Sequence, residues 1–254
     1  MSLHTRYPTS FQVFNVIALL AVIATHVVMG VTVSLHHQVL THPVLWLGAS
    51  ITYWVYWPVL ALSLLVFVGF QCRRDQRRNP ALVRISPAFW TVCAAHCAFT
   101  ILYQQQAWLW CSALSILGLA ALVFAFLELV YARDDATSSE YWCITLPISL
   151  SCAWAIHACV STLAISLLAY HANAWTLTTM QWAFASFLFT TAIATVLLLK
   201  HPEPAFGFAI VWQLFGLAIH DAYLSAPIAE TASVLMVYFA ILCFLGATQA
   251  KTQT

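Results

Sequence analysis

Charge is what this chain lacks most. Lysine, arginine, aspartate and glutamate make up 7% of its 254 residues, against about 25% in an ordinary soluble domain. Such a deficit excludes a water-soluble globule. Glycine is scarce as well, with seven residues scattered singly. No phosphate loop, hydrolase elbow, pair of catalytic carboxylates or Ser-His-Asp order is found, so an enzyme is not expected. Eight cysteines are present, but Cys93, Cys97, Cys111, Cys152, Cys159 and Cys243 fall inside apolar runs. Cys72 and Cys143 lie near a single surface, so a disulfide framework is not expected either.

What the chain has instead is hydrophobic length. It is 63% hydrophobic with a mean hydropathy of +0.87, more apolar surface than a core of this size can hide from water. The apolar runs are about 17 to 25 residues long, which at about 1.5 Å per residue matches a hydrocarbon layer about 30 Å thick. Eight spans are expected, at Phe11 to Val33, Leu45 to Phe70, Pro87 to Tyr103, Trp108 to Tyr131, Trp142 to Leu168, Trp175 to Leu199, Pro204 to His220 and Ile228 to Ala247. Strand alternation is missing, and a backbone in lipid must satisfy its own hydrogen bonds, so the fold class is all-α: a polytopic transmembrane helical bundle in one integral membrane domain, residues 1–254. The first run lacks a small-residue cleavage site and is read as a permanent span.

Eight spans place Arg6, Arg73, Arg74, Arg77, Arg78, Arg84, Arg133, Lys200 and Lys251 all on the side of the N-terminus. Both termini are therefore expected on the cytoplasmic, matrix or stromal side, in a plasma membrane, an organellar inner membrane or a thylakoid. A seven-span reading would put Lys251 on the opposite side and two acids in lipid. The run Arg73-Arg74-Asp75-Gln76-Arg77-Arg78 then reads as a topology anchor, and the lipid bilayer rather than nucleic acid is the expected partner. Short links force antiparallel neighbours. The Ala132 to Tyr141 link reads as an exposed turn with Ser or Thr caps, and Glu128 as an acid reaching back to the headgroups.

Polar groups inside lipid need a partner or a purpose. His26, His96 and His157 lie within spans, His220 closes the seventh, and His36, His37, His42 and His171 sit beyond them with Asp221 and Glu230. The buried three either hydrogen-bond across helices or ligate a metal or cofactor. Neither His-x-x-x-His nor Cys-x-x-Cys spacing occurs, but bis-histidine haem on His26 and His157, at similar depth, stays open. Of the eleven tryptophans, Trp46, Trp108, Trp110, Trp142 and Trp175 fall near span ends as an aromatic belt. Trp54, Trp57, Trp90, Trp154, Trp182 and Trp212 lie deeper, where indoles serve either as packing or as walls for a flat apolar ligand.

Several of these pieces resemble the tryptophan-rich sensory protein and translocator protein group, in particular its longer, eight-helix relatives. They are Thr52-Tyr53-Trp54-Val55-Tyr56-Trp57-Pro58, Ile85-Ser86-Pro87-Ala88-Phe89, Leu146-Pro147-Ile148-Ser149-Leu150 with Trp154, and Ala205-Phe206 followed by Ile210-Val211-Trp212 and Gly216-Leu217-Ala218. The chain departs from the group at His96 and Phe99, where an Asn and a Trp are usual, and at Ala153, where a Gly precedes the Trp. The short members of the group bind a tetrapyrrole such as haem or protoporphyrin, or a sterol, in a pocket among their helices, and the resemblance implies a pocket of that kind here. Three readings follow. The first is a non-catalytic binder of a tetrapyrrole, sterol or isoprenoid-like molecule, with Trp54, Trp57, Trp154 and Trp212 as walls and His96 and His157 orienting polar edges or a metal centre. The second is a structural accessory subunit of a large respiratory or photosynthetic membrane complex, packed against other subunits or pigments. The third is a b-type haem redox protein. The sequence names no single cofactor; haem, porphyrin, chlorophyll and carotenoid are the classes these readings involve.

Overall fold

The computed structural model describes residues 9–35, 51–132, 136–170, 178–221 and 226–252. All regular structure among them is helical: α1 (Thr9–Leu35), α2 (Ile51–Gln71), α3 (Pro80–Gln104), α4 (Trp108–Tyr131), the single turn α5 (Ser138–Glu140), α6 (Leu146–Ala169), α7 (Thr179–Lys200), α8 (Pro204–Asp221) and α9 (Ala226–Thr252). Five segments are long and apolar enough to cross a membrane: Ser10–Met29, Pro80–Gln104, Trp108–Tyr131, Ser138–Ala169 and Ala226–Gly246. The described apolar stretches of α2, α7 and α8 are shorter, at Val55–Gln71, Phe184–Lys200 and Pro204–Ile219. The chain is an integral membrane protein. Large apolar side chains such as Phe14, Trp110, Phe124, Leu188, Phe189, Val234 and Phe244 stand exposed around the bundle, a surface that only lipid solvates without aggregation.

Local chemistry sets the helix ends. α3 starts a full two turns before the apolar run at Pro87, because Asn79 caps it, its side chain accepting from the Ala81 N–H at 3.0 Å, and Pro80 takes the first turn. Pro87 falls inside the helix, as Pro58 does in α2, so each removes one intrahelical hydrogen bond. The α3 to α4 link is closed by Gln106 at φ 56°, with Gln106 N–H bonded to Tyr103 O and Ala107 N–H to Leu102 O, both at 3.1 Å. This is the Schellman pattern on a residue other than glycine. Thr137 and Glu140 form a capping box at α5, and a wide π-helical turn at Tyr141–Thr145 carries the chain into α6.

The heaviest packing joins α3 to α4, α8 to α9, α4 to α6 and α1 to α3, while α2 sits between α1, α6 and α8. α6 is central. It buries Ser149, Ser151, Cys152, Ala153, Ala164 and Ser166, among others, small residues that let neighbouring backbones come close. Gly207 does the same on α8, where an added Cβ would fall 2.1 Å from Cys243 Sγ of α9. All eight cysteines are free.

At the end of the bundle that holds the α2–α3 connection, side chains tie the links together. Asn79 donates to Glu140, and Tyr141 donates its hydroxyl to Glu203 Oε1 at 2.7 Å. The other Glu203 oxygen accepts the Phe206 N–H at 2.6 Å, capping α8 with an acid that is buried. Glu128 of α4 pairs with Arg84 of α3 at 3.4 Å, so its reach toward the headgroups ends on a neighbouring cation.

Candidate functional site

Two polar assemblies lie inside the bundle. The first gathers rings from α1, α2, α3 and α6. His26 places Nδ1 3.0 Å from the Val22 carbonyl one turn back. A carbonyl only accepts, so in the neutral ring Nδ1 carries the proton and Nε2 is an acceptor. His96 Nε2 lies 3.3 Å from that nitrogen and must therefore donate to it, which leaves Nδ1 as the bare nitrogen of neutral His96. The two imidazoles are nearly parallel, at 12° with centroids 4.9 Å apart. This contact exists because α1 packs on α3.

Trp57 borders both imidazoles, its ring 5.2 Å from His26 and 5.6 Å from His96. Trp154 of α6 meets Trp57 edge-on at 5.4 Å, stacks on Tyr56 at 5.5 Å and lies 6.2 Å from His157. Tyr56 is fixed in turn by donating its hydroxyl to the Leu150 carbonyl at 2.7 Å. From His96 the row of rings continues through Phe99 and Tyr103 to Trp108 at the α3 to α4 turn. Edge and offset contacts at these separations are the favoured aromatic geometries, each adding about 0.5 to 1.5 kcal/mol.

Ring contacts thus link Trp57, His96, Trp154 and His157, and add His26 to them. Trp212 is placed on α8, half-buried, with its ring against Phe208 at 5.7 Å. Trp54 is three residues before Trp57 on α2, and its side chain lies outside the described residues, as does that of His220. His36, His37, His42, His171, Trp46 and Trp175 also lie outside them. Trp182 is buried on α7.

The second assembly has no counterpart among the residues singled out from sequence, apart from Trp90. Asn15 of α1 donates to Gln71 Oε1 of α2 at 2.6 Å and to Ser86 Oγ of α3 at 3.0 Å, and it accepts from the Trp90 indole N–H. Gln12 donates to the Gln71 carbonyl, and Phe11 stacks on Trp90 at 5.3 Å. Asn15, Gln71 and Ser86 are each 1% exposed. The available signal was an asparagine four residues into an apolar run, where an amide needs interhelical partners.

Among the described residues no three His, Cys, Asp or Glu side chains come together to hold a metal ion. A tetrapyrrole iron held between His26 and His96 does not fit this arrangement. Two iron–imidazole bonds need the nitrogens about 4 Å apart, and the macrocycle would have to pass through the space that the Trp57 ring fills. A haem on His26 and His157 would need the His26 Nε2 that here accepts from His96.

Among the described residues, two concavities open elsewhere. One, of about 430 Å³, is lined by Val211, Met236, Val237, Ala240, Ile241 and Phe244 on α8 and α9. The other, of about 380 Å³, is lined by Ala136, Tyr141, Thr145 and Pro204 beside the π-helical turn. No curated protein and no solved structure matches the chain. One protein-family model does, over residues 12–245, and its description is TSPO-like protein.

Proposed function

Since the chain belongs to the TSPO-like protein family, we propose that it is a membrane-embedded binder of a hydrophobic ligand of the tetrapyrrole, sterol or isoprenoid type, and that it does not turn that ligand over. The observation that carries this reading is the gathering of His26, Trp57, His96, Trp154 and His157 from four helices. Indole faces supply apolar walls, and the bare Nδ1 of His96 accepts a hydrogen bond from a ligand hydroxyl or pyrrole N–H. The rings already touch one another, so a ligand enters by replacing ring-to-ring contacts, and a metal-free edge-on or stacked pose suits the cluster better than axial ligation of an iron.

Purification in mild detergent, followed by absorbance and mass analysis and by titration with protoporphyrin, cholesterol and geranylgeraniol, tests the reading. One of the three should bind stoichiometrically. Trp57→Ala should weaken it up to about tenfold, the equivalent of one lost aromatic contact. Unchanged affinity in both Trp57→Ala and His96→Ala would remove the cluster from the function.

A second reading, an accessory subunit of a large respiratory or photosynthetic membrane complex, is favoured by the apolar α8 and α9 groove, which suits a neighbouring transmembrane helix. Native purification separates the two. A free binder is isolated alone, whereas a subunit travels with its complex.

A further inference from the structure

We propose that Arg74 and Arg77 form a docking site for a membrane phospholipid whose headgroup carries two linked phosphates, as in diphosphatidylglycerol. The site begins just past the end of α2, about four turns along that helix from Trp57, and is independent of the hydrophobic ligand.

The connection from α2 to α3 is a 3-10 helix, Arg74–Arg78. In that geometry residues three apart stand on the same side, about 6 Å from one another along the axis. Gln76 and Asn79 display the register, since the Asn79 amide donates to Gln76 Oε1 at 2.9 Å. Their side of the turn is held against the bundle: Asn79 also donates to Glu140, and both residues are half-buried. Arg74 and Arg77 share a different side, and both are exposed.

Neighbouring cations are already matched. Arg73 pairs with Asp75 at 3.1 Å and lies over the Phe70 ring at 5.4 Å, while Arg84 pairs with Glu128 at 3.4 Å. Among the described residues no acid pairs with Arg74 or Arg77. Two guanidinium forks on one exposed side, each suited to a two-pronged phosphate contact, are therefore left for an anion from outside the chain.

Depth selects the source of that anion. The apolar stretch of α2 ends at Gln71, three residues before Arg74. Tyr131 and Trp142 stand exposed at the same end of the bundle, where Arg84 joins α3 to α4 and the Tyr141–Thr145 turn packs on α2. Exposed aromatics at a span end mark the headgroup layer, and phosphates at that level belong to lipids. A lipid with one phosphate satisfies one fork. Two phosphates joined through a glycerol reach both, and holding them in one molecule removes the cost of collecting two separate lipids.

The test uses the full chain in mild detergent, titrated with diphosphatidylglycerol and, separately, with phosphatidylglycerol at twice the concentration, so that phosphate and charge are equal. Native mass spectrometry counts the lipid bound. One diphosphatidylglycerol per chain should bind, and phosphatidylglycerol should not displace it. Arg74→Gln and Arg77→Gln should each weaken binding about fivefold, the share of one arginine at a membrane surface, while Arg73→Gln and Arg84→Gln leave it unchanged. Replacing both Arg74 and Arg77 by lysine should weaken it too, although the positive charge that orients the chain is kept. Parent affinity in the double lysine variant would reduce the turn to a topology anchor and overturn the proposal. So would equal binding of phosphatidylglycerol, or displacement of the lipid by inorganic pyrophosphate, which would assign the forks to a soluble diphosphate. Should the arginine variants fail to insert, the comparison of the two lipids on the unaltered protein decides alone.

Discussion

Replacing Asn15 by leucine should destabilise the bundle by about 3 kcal/mol. Leucine keeps the branching and heavy-atom count of asparagine but is bulkier, so overpacking adds to the lost hydrogen bonds and the figure is a lower bound. Three are lost: those to Gln71 Oε1 at 2.6 Å and Ser86 Oγ at 3.0 Å, and the one received from Trp90. Interhelical bonds in membrane proteins average about 0.6 kcal/mol each, which gives about 2 kcal/mol for three. The Trp90 indole N–H and Gln71 Oε1 are then stranded, adding about 1 kcal/mol or more. Ser86 is spared, because its hydroxyl also donates to the Leu82 carbonyl at 2.7 Å. Unfolding of the purified protein by increasing SDS in mixed micelles measures the difference. Thr25→Val is the control, since the Thr25 hydroxyl bonds only to Ala21 on its own helix, and it should move stability by less than about 0.5 kcal/mol. An Asn15→Leu variant within about 0.5 kcal/mol of the parent would refute the idea that this amide fastens α1 to α2 and α3.

Further expectations concern single positions. Gln106 holds φ 56°, a conformation that costs a side chain other than glycine's about 1 kcal/mol, so Gln106→Gly should raise stability by about that amount in the same assay. Gly207→Ala brings a Cβ to 2.1 Å from Cys243 Sγ but to 3.7 Å from Cys243 Cβ, so it should destabilise by about 1 to 3 kcal/mol, and Cys243→Ala in the same chain should recover most of the loss. Glu203→Ala removes the cap of α8 and the acceptor of Tyr141 and should cost about 1 to 2 kcal/mol. Cys72 is exposed beside the basic turn, and a membrane-impermeant maleimide should label it from the cytoplasmic, matrix or stromal side only. Labelling from the other side would overturn the orientation inferred from the arginines.

Helices in lipid are easily read from sequence because length and hydropathy alone decide them, and α4 illustrates this, running from Trp108 to Tyr131 over the same residues as its apolar run. Ends that depend on polar contacts are harder to read. α3 gains its first seven residues from a cap on Asn79 and a proline in the first turn, neither of which contributes hydropathy. The π-helical turn at Tyr141–Thr145 adds a residue to one turn without leaving a compositional trace. In the site, depth along a helix can be counted from sequence, but which helices stand side by side cannot. Residue counting expects His26 and His157 at similar depth, whereas His26 meets His96 because α1 packs on α3. Trp57 and Trp154 were legible as deep indoles and Asn15 carried a signal as an amide inside an apolar run, while Gln71 and Gln12 did not, since single amides near a span end look like interfacial residues until their partners are known.

The central place of α6 bears on how the protein is made. Half of its span is buried within the bundle, against 11% for that of α1, and the covering comes from α2 and α4, which precede it in the chain, and from α7 and α8, which follow. During synthesis α6 therefore enters the bilayer before part of its cover exists. Until residue 221 has been translated, Ser149 and His157, which α6 buries, must be sheltered by the insertion machinery, a chaperone or lipid, whereas Ser151 and Thr162 already donate to the Pro147 and Ala158 carbonyls of their own helix. A chain interrupted in that interval presents polar groups to the bilayer without their cover, the kind of surface by which membrane quality control recognises an orphaned helix.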